Sequence, residues 1–263
     1  MRYLGCKTKL LTNIEKIINK YDYSGNTFAD LFSGTAAVGD YFKDRFKIIS
    51  NDFMYYSFVL ANAKLRNAYI PTFDNFKREY NKDIFEWLNN SLDYESNSNF
   101  IYNNYTPKGN RMFFTEETGK RIDAMRLAIE DLFVKKIVDE KEYYYLLASL
   151  LDSVSSIANI SGTFEAFFKF WDNRTLKRFE ISPLEINKTK KVLGSNIYNE
   201  NTHKLIRKIS GDIAYIDTPY TVTQYASAYH LLETVAKYDS PKINGVGGKR
   251  GKGKNISYFS QKK

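Results

Sequence analysis

The sequence predicts an α/β protein with a parallel, doubly wound sheet and a mostly helical insertion. Residues 26–52 read as strand, small-residue turn, helix and strand, which is the unit that builds parallel sheets. From about Pro71 to Pro183 the apolar residues recur at helical spacing instead. A short apolar strand returns at Asp212–Ile216, so the sheet is expected to resume after the insertion.

The chain is predicted to begin with an amphipathic helix over Lys9–Tyr21. Its apolar residues recur at spacings of three and four, as on one face of a helix: Leu10, Leu11, Ile14, Ile17, Ile18 and Tyr21. Asn26–Phe32 then reads as a short buried strand. The turn Ser33–Gly39 is rich in small residues and leads into a helix that ends near Phe42. These elements form the first half of the strand–turn–helix–strand unit.

A second strand is predicted at Phe46–Ser50. Asp52 lies just past its end, 18 residues after Gly34. In the insertion, helices are predicted over Thr118–Phe133 and Lys141–Ile157, and a polar segment rich in Asn and Tyr precedes them. We therefore assign residues 1–70 and 185–263 to a sheet domain and residues 71–184 to a helical insertion.

Composition excludes several classes of protein. With 43% hydrophobic and 26% charged residues, the chain is not disordered, collagen-like or a coiled coil. A single cysteine, Cys6, and two histidines exclude a disulfide framework, and no metal site is expected. The longest apolar stretch, Tyr143–Ile160, is interrupted by Asp152 and by Ser and Asn, so no membrane span is expected. A free cysteine and the lack of an export signal predict a cytoplasmic protein.

The net charge of +9 is concentrated at one end of the chain. Residues 237–263 carry eight Lys or Arg and one acid, Asp239. Such asymmetry predicts a polyanionic partner, either nucleic acid or a membrane surface. From about Ser240 the chain is rich in Gly, Lys and Ser and is predicted to be a loop.

The small-residue turn is the first candidate site. A strand ending in Asp30, followed by Phe32-Ser33-Gly34-Thr35, would bring backbone N–H groups and a helix N-terminus beside a cofactor. Asp52 at the end of the next strand suits hydrogen bonds to ribose hydroxyls. An ordinary strand–helix turn would look the same. Ala36 replaces the middle glycine of G-x-G-x-x-G, which disfavours a nicotinamide-dependent dehydrogenase.

The tetrapeptide Asp217-Thr218-Pro219-Tyr220, after the third predicted strand, is the second candidate site. It offers a carboxylate, a peptide carbonyl and an aromatic face in one place. An exocyclic amine could donate to the carboxylate and the Thr218 carbonyl while its base stacks on Tyr220. Alone, the tetrapeptide is better explained as a plain turn.

The order of the motifs is more specific than any one of them. Y-x-G-x-K-x-x-L-L starts at Tyr3, D-L-F-S-G-T at Asp30, N-D at Asn51, and D-x-P-Y follows a long insertion. This set resembles the Dam-like (alpha-group) N6-adenine DNA methyltransferases. The segments Gln224-Tyr225, Tyr229–Thr234 and Arg111–Thr115 resemble restriction–modification members of that group.

The resemblance implies a Rossmann-like S-adenosylmethionine-dependent methyltransferase sheet, with the insertion as the DNA target recognition region. It implies that Tyr3 and Lys7 line the methionine end of the cofactor and that Asp52 holds its ribose. Asn201 would contact the cofactor adenine, at a position where relatives have aspartate. The cofactor loop would consist of Asp30, Phe32, Ser33, Gly34 and Thr35. The target-adenine site would consist of Asp217, Thr218, Pro219 and Tyr220.

The expected activity is site-specific transfer of a methyl group from S-adenosylmethionine to the N6 amine of a flipped adenine in double-stranded DNA. Three residues differ from the usual ones of the family that the sequence resembles. Thr218 stands in place of a proline, and Asn201 lacks the charge of an aspartate. Ala36 stands in place of a glycine, so its methyl group is expected to crowd the cofactor slightly. Two alternatives therefore stay open, a catalytically inactive DNA-binding relative and an RNA adenine methyltransferase. Only 43 residues follow Tyr220, and few sizeable apolar residues follow Tyr238, so we expect a partner chain or a missing C-terminal continuation to complete the sheet.

Overall fold

A four-stranded parallel sheet forms the centre of the protein. In a computed structural model, the described residues are 4–21, 25–95, 99–219 and 224–251. The strands are β1 (Thr27–Asp30), β2 (Lys47–Asn51), β3 (Ser195–Tyr198) and β4 (Ile213–Tyr215). Their order is β3-β2-β1-β4, and every neighbouring pair is parallel. The predicted α/β class with a parallel central sheet is confirmed.

Helices account for most of the rest of the described chain. They are α1 (Leu11–Lys20), α2 (Ala37–Phe42), α3 (Tyr55–Leu65), α4 (Asp74–Tyr80), α5 (Ile84–Asn90), α6 (Phe100–Tyr105), α7 (Glu116–Val134), α8 (Glu140–Ile157), α9 (Thr202–Leu205), α10 (Tyr225–Ala228) and α11 (His230–Lys237). The two helices predicted in the insertion are α7 and α8. None of the helices in the described residues combines the length and the apolar composition that a bilayer span requires.

Helix α8 shows how local sequence fixes an element boundary. The Asp139 side chain accepts a hydrogen bond from the Glu142 backbone N–H at 2.8 Å, and the Glu142 side chain accepts one from the Asp139 N–H at 2.9 Å. This reciprocal capping satisfies two N–H groups that a helix start otherwise leaves without partners. The long helix therefore begins at a defined residue.

The insertion shares one apolar core with the sheet domain. Buried residues of α3, α7, α8 and α11 form a single cluster that includes Leu60, Met125, Leu150 and Leu232. A second cluster, with Phe28, lies between the sheet and the helices α1 to α3. The assignment of the insertion to target recognition stays a prediction, but its packing against α3 and α11 fixes its position relative to the sheet.

Two elements differ from the sequence-based expectation. Strand β3 carried no signal, because Ser195 and Asn196 break its apolar pattern. The segment predicted as loop after Ser240 contains a short antiparallel pair, β5 (Ile243–Asn244) and β6 (Lys249–Arg250). That pair is held by contacts with the insertion, which composition cannot reveal. Residues 252–263 of the predicted loop lie outside the described residues.

The strand order places a crevice at the carboxyl ends of β1 and β4. From β1 the chain proceeds to β2 and β3 on one side, whereas β4 lies on the other side. In open α/β sheets, ligands bind where the strand order reverses in this way. Both candidate motifs follow these strands, because Asp30 ends β1 and Asp217 comes two residues after β4.

Candidate active site

An open cleft lies at this switch point. Its lining includes ten of the thirteen predicted site residues: Lys7, Asp30, Phe32, Ser33, Gly34, Thr35, Asp52, Asn201, Asp217 and Pro219. Thr218 is described but does not line the cleft. Tyr3 and Tyr220 lie outside the described residues. The fold thus brings together residues that the sequence separates by more than two hundred positions.

Asp52 ties the turn after β1 to the start of α3. One carboxylate oxygen accepts a hydrogen bond from the Gly34 N–H at 2.8 Å, and the other accepts one from the Met54 N–H at 2.9 Å. Gly34 adopts a φ of 51°, a conformation that glycine reaches without steric cost. A carboxylate has about four acceptor positions, so each Asp52 oxygen can still accept a ligand hydroxyl.

Asp30 is a buried carboxyl group without full hydrogen bonding. It is 1% exposed, and its Oδ1 accepts no hydrogen bond from the described residues. Burial, together with the negative charges of Asp52 and Asp217, raises the pKa of Asp30 to about 7, although the Phe32 N–H opposes the shift. Burial likewise raises the pKa of Asp52 to about 6 against its backbone donors, with Glu233 adding to the rise. This part of the cleft therefore favours a positively charged ligand.

Lys7 and Asp217 form an ion pair across the cleft. The Lys7 Nζ lies 2.9 Å from the Asp217 Oδ2, and both side chains are mostly buried. The contact joins the N-terminal motif to the motif that follows β4. Sequence reasoning assigned the two residues to different ligands and did not foresee that they meet.

Asn201 has a structural role as well as a place in the lining. Its side chain accepts a hydrogen bond from the His203 N–H at 3.0 Å and so caps α9. The preceding turn is held by Asn51, whose Nδ2 donates to the Thr202 Oγ1 at 3.1 Å and whose Oδ1 accepts from the Glu200 N–H at 3.1 Å. Asn51 is fully buried and positions this wall of the cleft.

Comparison with known proteins agrees with this geometry. A sequence profile described as "D12 class N6 adenine-specific DNA methyltransferase" matches residues 3–261. The chain therefore belongs to this family. It is 52% identical over 264 residues to Modification methylase LlaI of Lactococcus lactis subsp. lactis, in an alignment that covers 100% of this chain and 42% of that protein.

Two further relatives are similar along nearly the whole chain. Identity to Type II methyltransferase M.FokI of Planomicrobium okeanokoites is 41% over 266 residues, covering 100% of this chain and 41% of the relative. Identity to Type II methyltransferase M.NlaIII of Neisseria lactamica is 36% over 259 residues, covering 95% and 73% respectively. The chain thus spans about two fifths of the first two relatives. No solved structure shows significant similarity to the chain.

Sequence reasoning missed two residues that hold the elements around the cleft. Glu233, 1% exposed, accepts hydrogen bonds from the Tyr55 and Tyr56 N–H groups at 3.2 and 3.0 Å and thus holds the N-terminus of α3. Lys64 donates to the Thr35 carbonyl at 2.9 Å and so holds the loop that follows β1. The segment containing Glu233 resembled family members, but its sequence did not reveal which backbone groups the carboxylate reaches.

The unusual feature of Ala36 is its backbone conformation, and its side chain makes no contact with the cleft. It adopts a left-handed φ of 56°, and its side chain is fully buried in the cluster around Phe28. It is absent from the cleft lining, so the expectation that its methyl group crowds the cofactor is not supported.

The variant Ala36→Gly is therefore expected to bind S-adenosylmethionine with unchanged affinity. Glycine adopts the left-handed backbone without strain, which should stabilise the variant by about 1 kcal/mol. Loss of the buried methyl group should destabilise it by about 1 kcal/mol, so the free energy of unfolding should change little. Calorimetric titration and urea unfolding check both values. Clearly tighter binding by the glycine variant would restore the crowding interpretation.

Proposed function

We propose that the chain transfers a methyl group from S-adenosylmethionine to the N6 amine of an adenine in double-stranded DNA, at a specific sequence and within a restriction–modification system. The observation that carries the proposal is the cleft itself. The loop after β1 and two residues after β4, Asp217 and Pro219, line the same cavity at the switch point of the sheet. Family membership supports the same activity.

The residues present fit S-adenosylmethionine. This molecule supplies an electrophilic methyl group on a positively charged sulfonium, and its methionine end adds an ammonium group. The Asp30 carboxyl lacks a donor at Oδ1 among the described residues, and Asp52 and Asp217 add negative charge to the same cleft. We assign Asp52 to the ribose, Asn201 to the adenine of the cofactor, and Lys7 to its carboxylate.

The chain's own residues would orient the target amine. The Asp217 carboxylate and the Thr218 carbonyl accept its two hydrogens, which aims the nitrogen lone pair into the cleft. Pro219 fixes the backbone φ between them and Tyr220. Tyr220, which lies outside the described residues, is assigned from sequence to stacking on the extruded base. The Lys7 ammonium lies 2.9 Å from the Asp217 Oδ2, so the other carboxylate oxygen is the one open to the amine while this ion pair is intact.

Binding of S-adenosylmethionine is expected to strengthen as the pH rises from 6 to 8. A cation binds the ionised form of Asp30, and this residue has a pKa of about 7. At pH 6 about nine tenths of Asp30 is protonated, so the affinity should be about tenfold weaker than at pH 8. Calorimetry at the two pH values measures the ratio. The control variant Asp30→Asn should flatten the profile, and an unchanged pH dependence in that variant would contradict the assignment.

Labelled S-adenosylmethionine distinguishes the proposal from its alternatives. The protein is incubated with unmethylated plasmid DNA or with RNA, and the nucleic acid is digested to nucleosides. Labelled N6-methyladenine from DNA alone supports the proposal. Label in RNA supports the RNA methyltransferase, and DNA binding without label supports an inactive relative.

A further inference from the structure

Residues 4–7, which we call the cleft arm, form one wall of the candidate active site. All four residues line the cleft. The cleft arm belongs to no helix or strand, and the Leu4 side chain is 44% exposed. Neither regular secondary structure nor burial of the Leu4 side chain therefore accounts for its position.

The backbone of the cleft arm is held by two tyrosine hydroxyl groups. The Leu4 N–H donates to the Tyr229 hydroxyl oxygen at 2.6 Å, and the Tyr225 hydroxyl donates to the Leu4 carbonyl at 3.3 Å. Both backbone polar groups of one residue are thus paired with side chains from the other end of the sequence. A phenylalanine ring at either position would fill nearly the same volume but could bind neither group. What the tyrosines add beyond a packed ring is this hold on the cleft arm.

Tyr229 itself is firmly supported. Its side chain is fully buried, and its ring centroid lies 5.8 Å from that of Tyr56 in α3. The residues on either side of it both bind Phe164. The Phe164 N–H donates to the Ala228 carbonyl at 2.7 Å, and the His230 Nε2 donates to the Phe164 carbonyl at 2.8 Å. The hydroxyl that accepts from Leu4 is therefore held in place by the fold.

The other end of the cleft arm carries a positive charge. Lys7 lies three residues after Leu4, and its ammonium is paired with Asp217 at 2.9 Å. Gly5 has a φ of 75°, so the chain turns between the two in a conformation that suits glycine. Three residues span at most about 10 Å. Fixing the backbone of Leu4 therefore restricts where the Lys7 ammonium can lie.

The two tyrosines follow the predicted target-adenine site in the chain. Tyr225 comes six residues after Pro219 and lines the cleft together with the cleft arm. The arm is thus attached to this part of the chain at two points, by the ion pair with Asp217 and by the hydroxyl groups of Tyr225 and Tyr229. A ligand group that the arm holds would be set relative to the residues that receive the target base.

We propose that Tyr225 and Tyr229 are positioning residues for S-adenosylmethionine, and that they hold the cleft arm so that Lys7 meets the carboxylate at the methionine end. The inference rests on the proposed function, which assigns Lys7 to that carboxylate. A cleft arm that is already in place loses less conformational entropy when the ligand binds, so the hydroxyl groups raise the affinity. The effect should be confined to ligands that carry the amino-acid end.

The test compares two ligands across one set of variants. S-adenosylhomocysteine keeps the amino-acid group, whereas methylthioadenosine lacks it. Calorimetry measures the affinity of each ligand for the wild type, Tyr229→Phe, Tyr225→Phe and the double variant, and needs no turnover. Tyr145→Phe is the matched control, because Tyr145 is also fully buried, donates to the Leu184 carbonyl at 2.6 Å and is absent from the cleft lining.

We expect Tyr229→Phe to bind S-adenosylhomocysteine about fivefold more weakly and to keep the wild-type affinity for methylthioadenosine. The double variant should lose about tenfold for the first ligand and nothing for the second. Tyr145→Phe should lower the melting temperature about as much as Tyr229→Phe does, because both lose one buried hydrogen bond, but it should keep both affinities.

Wild-type affinity for S-adenosylhomocysteine in the Tyr225 and Tyr229 variants would overturn the inference and leave the proposed function intact. An equal loss for both ligands would also overturn it, because general damage to the cleft does not distinguish them. The same holds if the wild type binds the two ligands equally well, since the amino-acid end would then not be held. A wild type that binds neither ligand would reject the proposed function, and the inference with it.

Discussion

Replacing Asp217 with alanine is expected to lower the rate of methyl transfer at least about 100-fold while leaving the affinity for S-adenosylmethionine nearly unchanged. The carboxylate is assigned to the target amine, so its loss removes the group that orients the nucleophile. Among the described residues, the Asp217 side chain forms an ion pair with Lys7, and it is 28% exposed. The variant should therefore fold normally, which a thermal melt checks.

The conservative variant Asp217→Asn separates orientation from charge. It keeps an acceptor oxygen at the same place, so an intermediate rate would indicate that hydrogen-bond geometry supplies part of the effect. Single-turnover rates at saturating DNA and calorimetric affinities measure the two quantities separately. If Asp217→Ala keeps more than about a tenth of the rate, its contribution to the barrier is below ~1.4 kcal/mol, and Asp217 does not orient the amine.

Much of the fold was predictable because it depends on local patterns. The strand–turn–helix–strand unit, α7 and α8 carry clear periodicity, and they form within a few residues of the predicted bounds. Strand β3 was not predictable, because a short edge strand with Ser195 and Asn196 has no alternation to detect. The pair β5–β6 depends on distant donors, among them Arg111, and a glycine-rich segment reveals no such donors by its own composition.

Which residues line the cleft was largely predictable, but the contacts among those residues were not. The order of the motifs predicted thirteen site residues, and ten of them line one cavity in the structure. Sequence contains no distances, however, so it could not show that Lys7 pairs with Asp217 or that Asp52 already binds two backbone N–H groups. For the same reason, the sequence led us to expect that the Ala36 methyl group crowds the cofactor, whereas it packs into the core.

Lys43→Met is expected to reduce the free energy of unfolding by about 3–5 kcal/mol, which is a large part of the stability of a typical domain. The Lys43 side chain is fully buried at the end of α2. Its ammonium donates to the Asp40 carboxylate at 2.7 Å and to the Lys64 and Asn67 carbonyls at 2.8 Å each. Methionine keeps the volume but leaves a buried carboxylate and two carbonyls without their donor.

The same cluster links the loop after β1 to the segment that returns from the insertion. The second oxygen of Asp40 accepts from the Asn187 N–H at 2.9 Å, and the Asn187 Nδ2 donates to the Asp40 carbonyl at 3.1 Å. Lys64, whose carbonyl accepts from Lys43, also holds the Thr35 carbonyl through its own side chain. Loss of Lys43 should therefore loosen the loop as well as the core, and the affinity for S-adenosylmethionine should fall together with stability.

A matched control removes a lysine from an exposed pair. Lys135 and Asp131 lie 2.7 Å apart on α7 and just after it, and both side chains are more than half exposed. Water and salt screen such a pair, so Lys135→Met should unfold at the same urea concentration as the wild type. The double variant Lys43→Met with Asp40→Asn should recover part of the loss, because it removes the unpaired buried charge. If the urea unfolding curve of Lys43→Met has the midpoint and slope of the wild-type curve, the buried ammonium does not stabilise the junction between α2 and the end of α3.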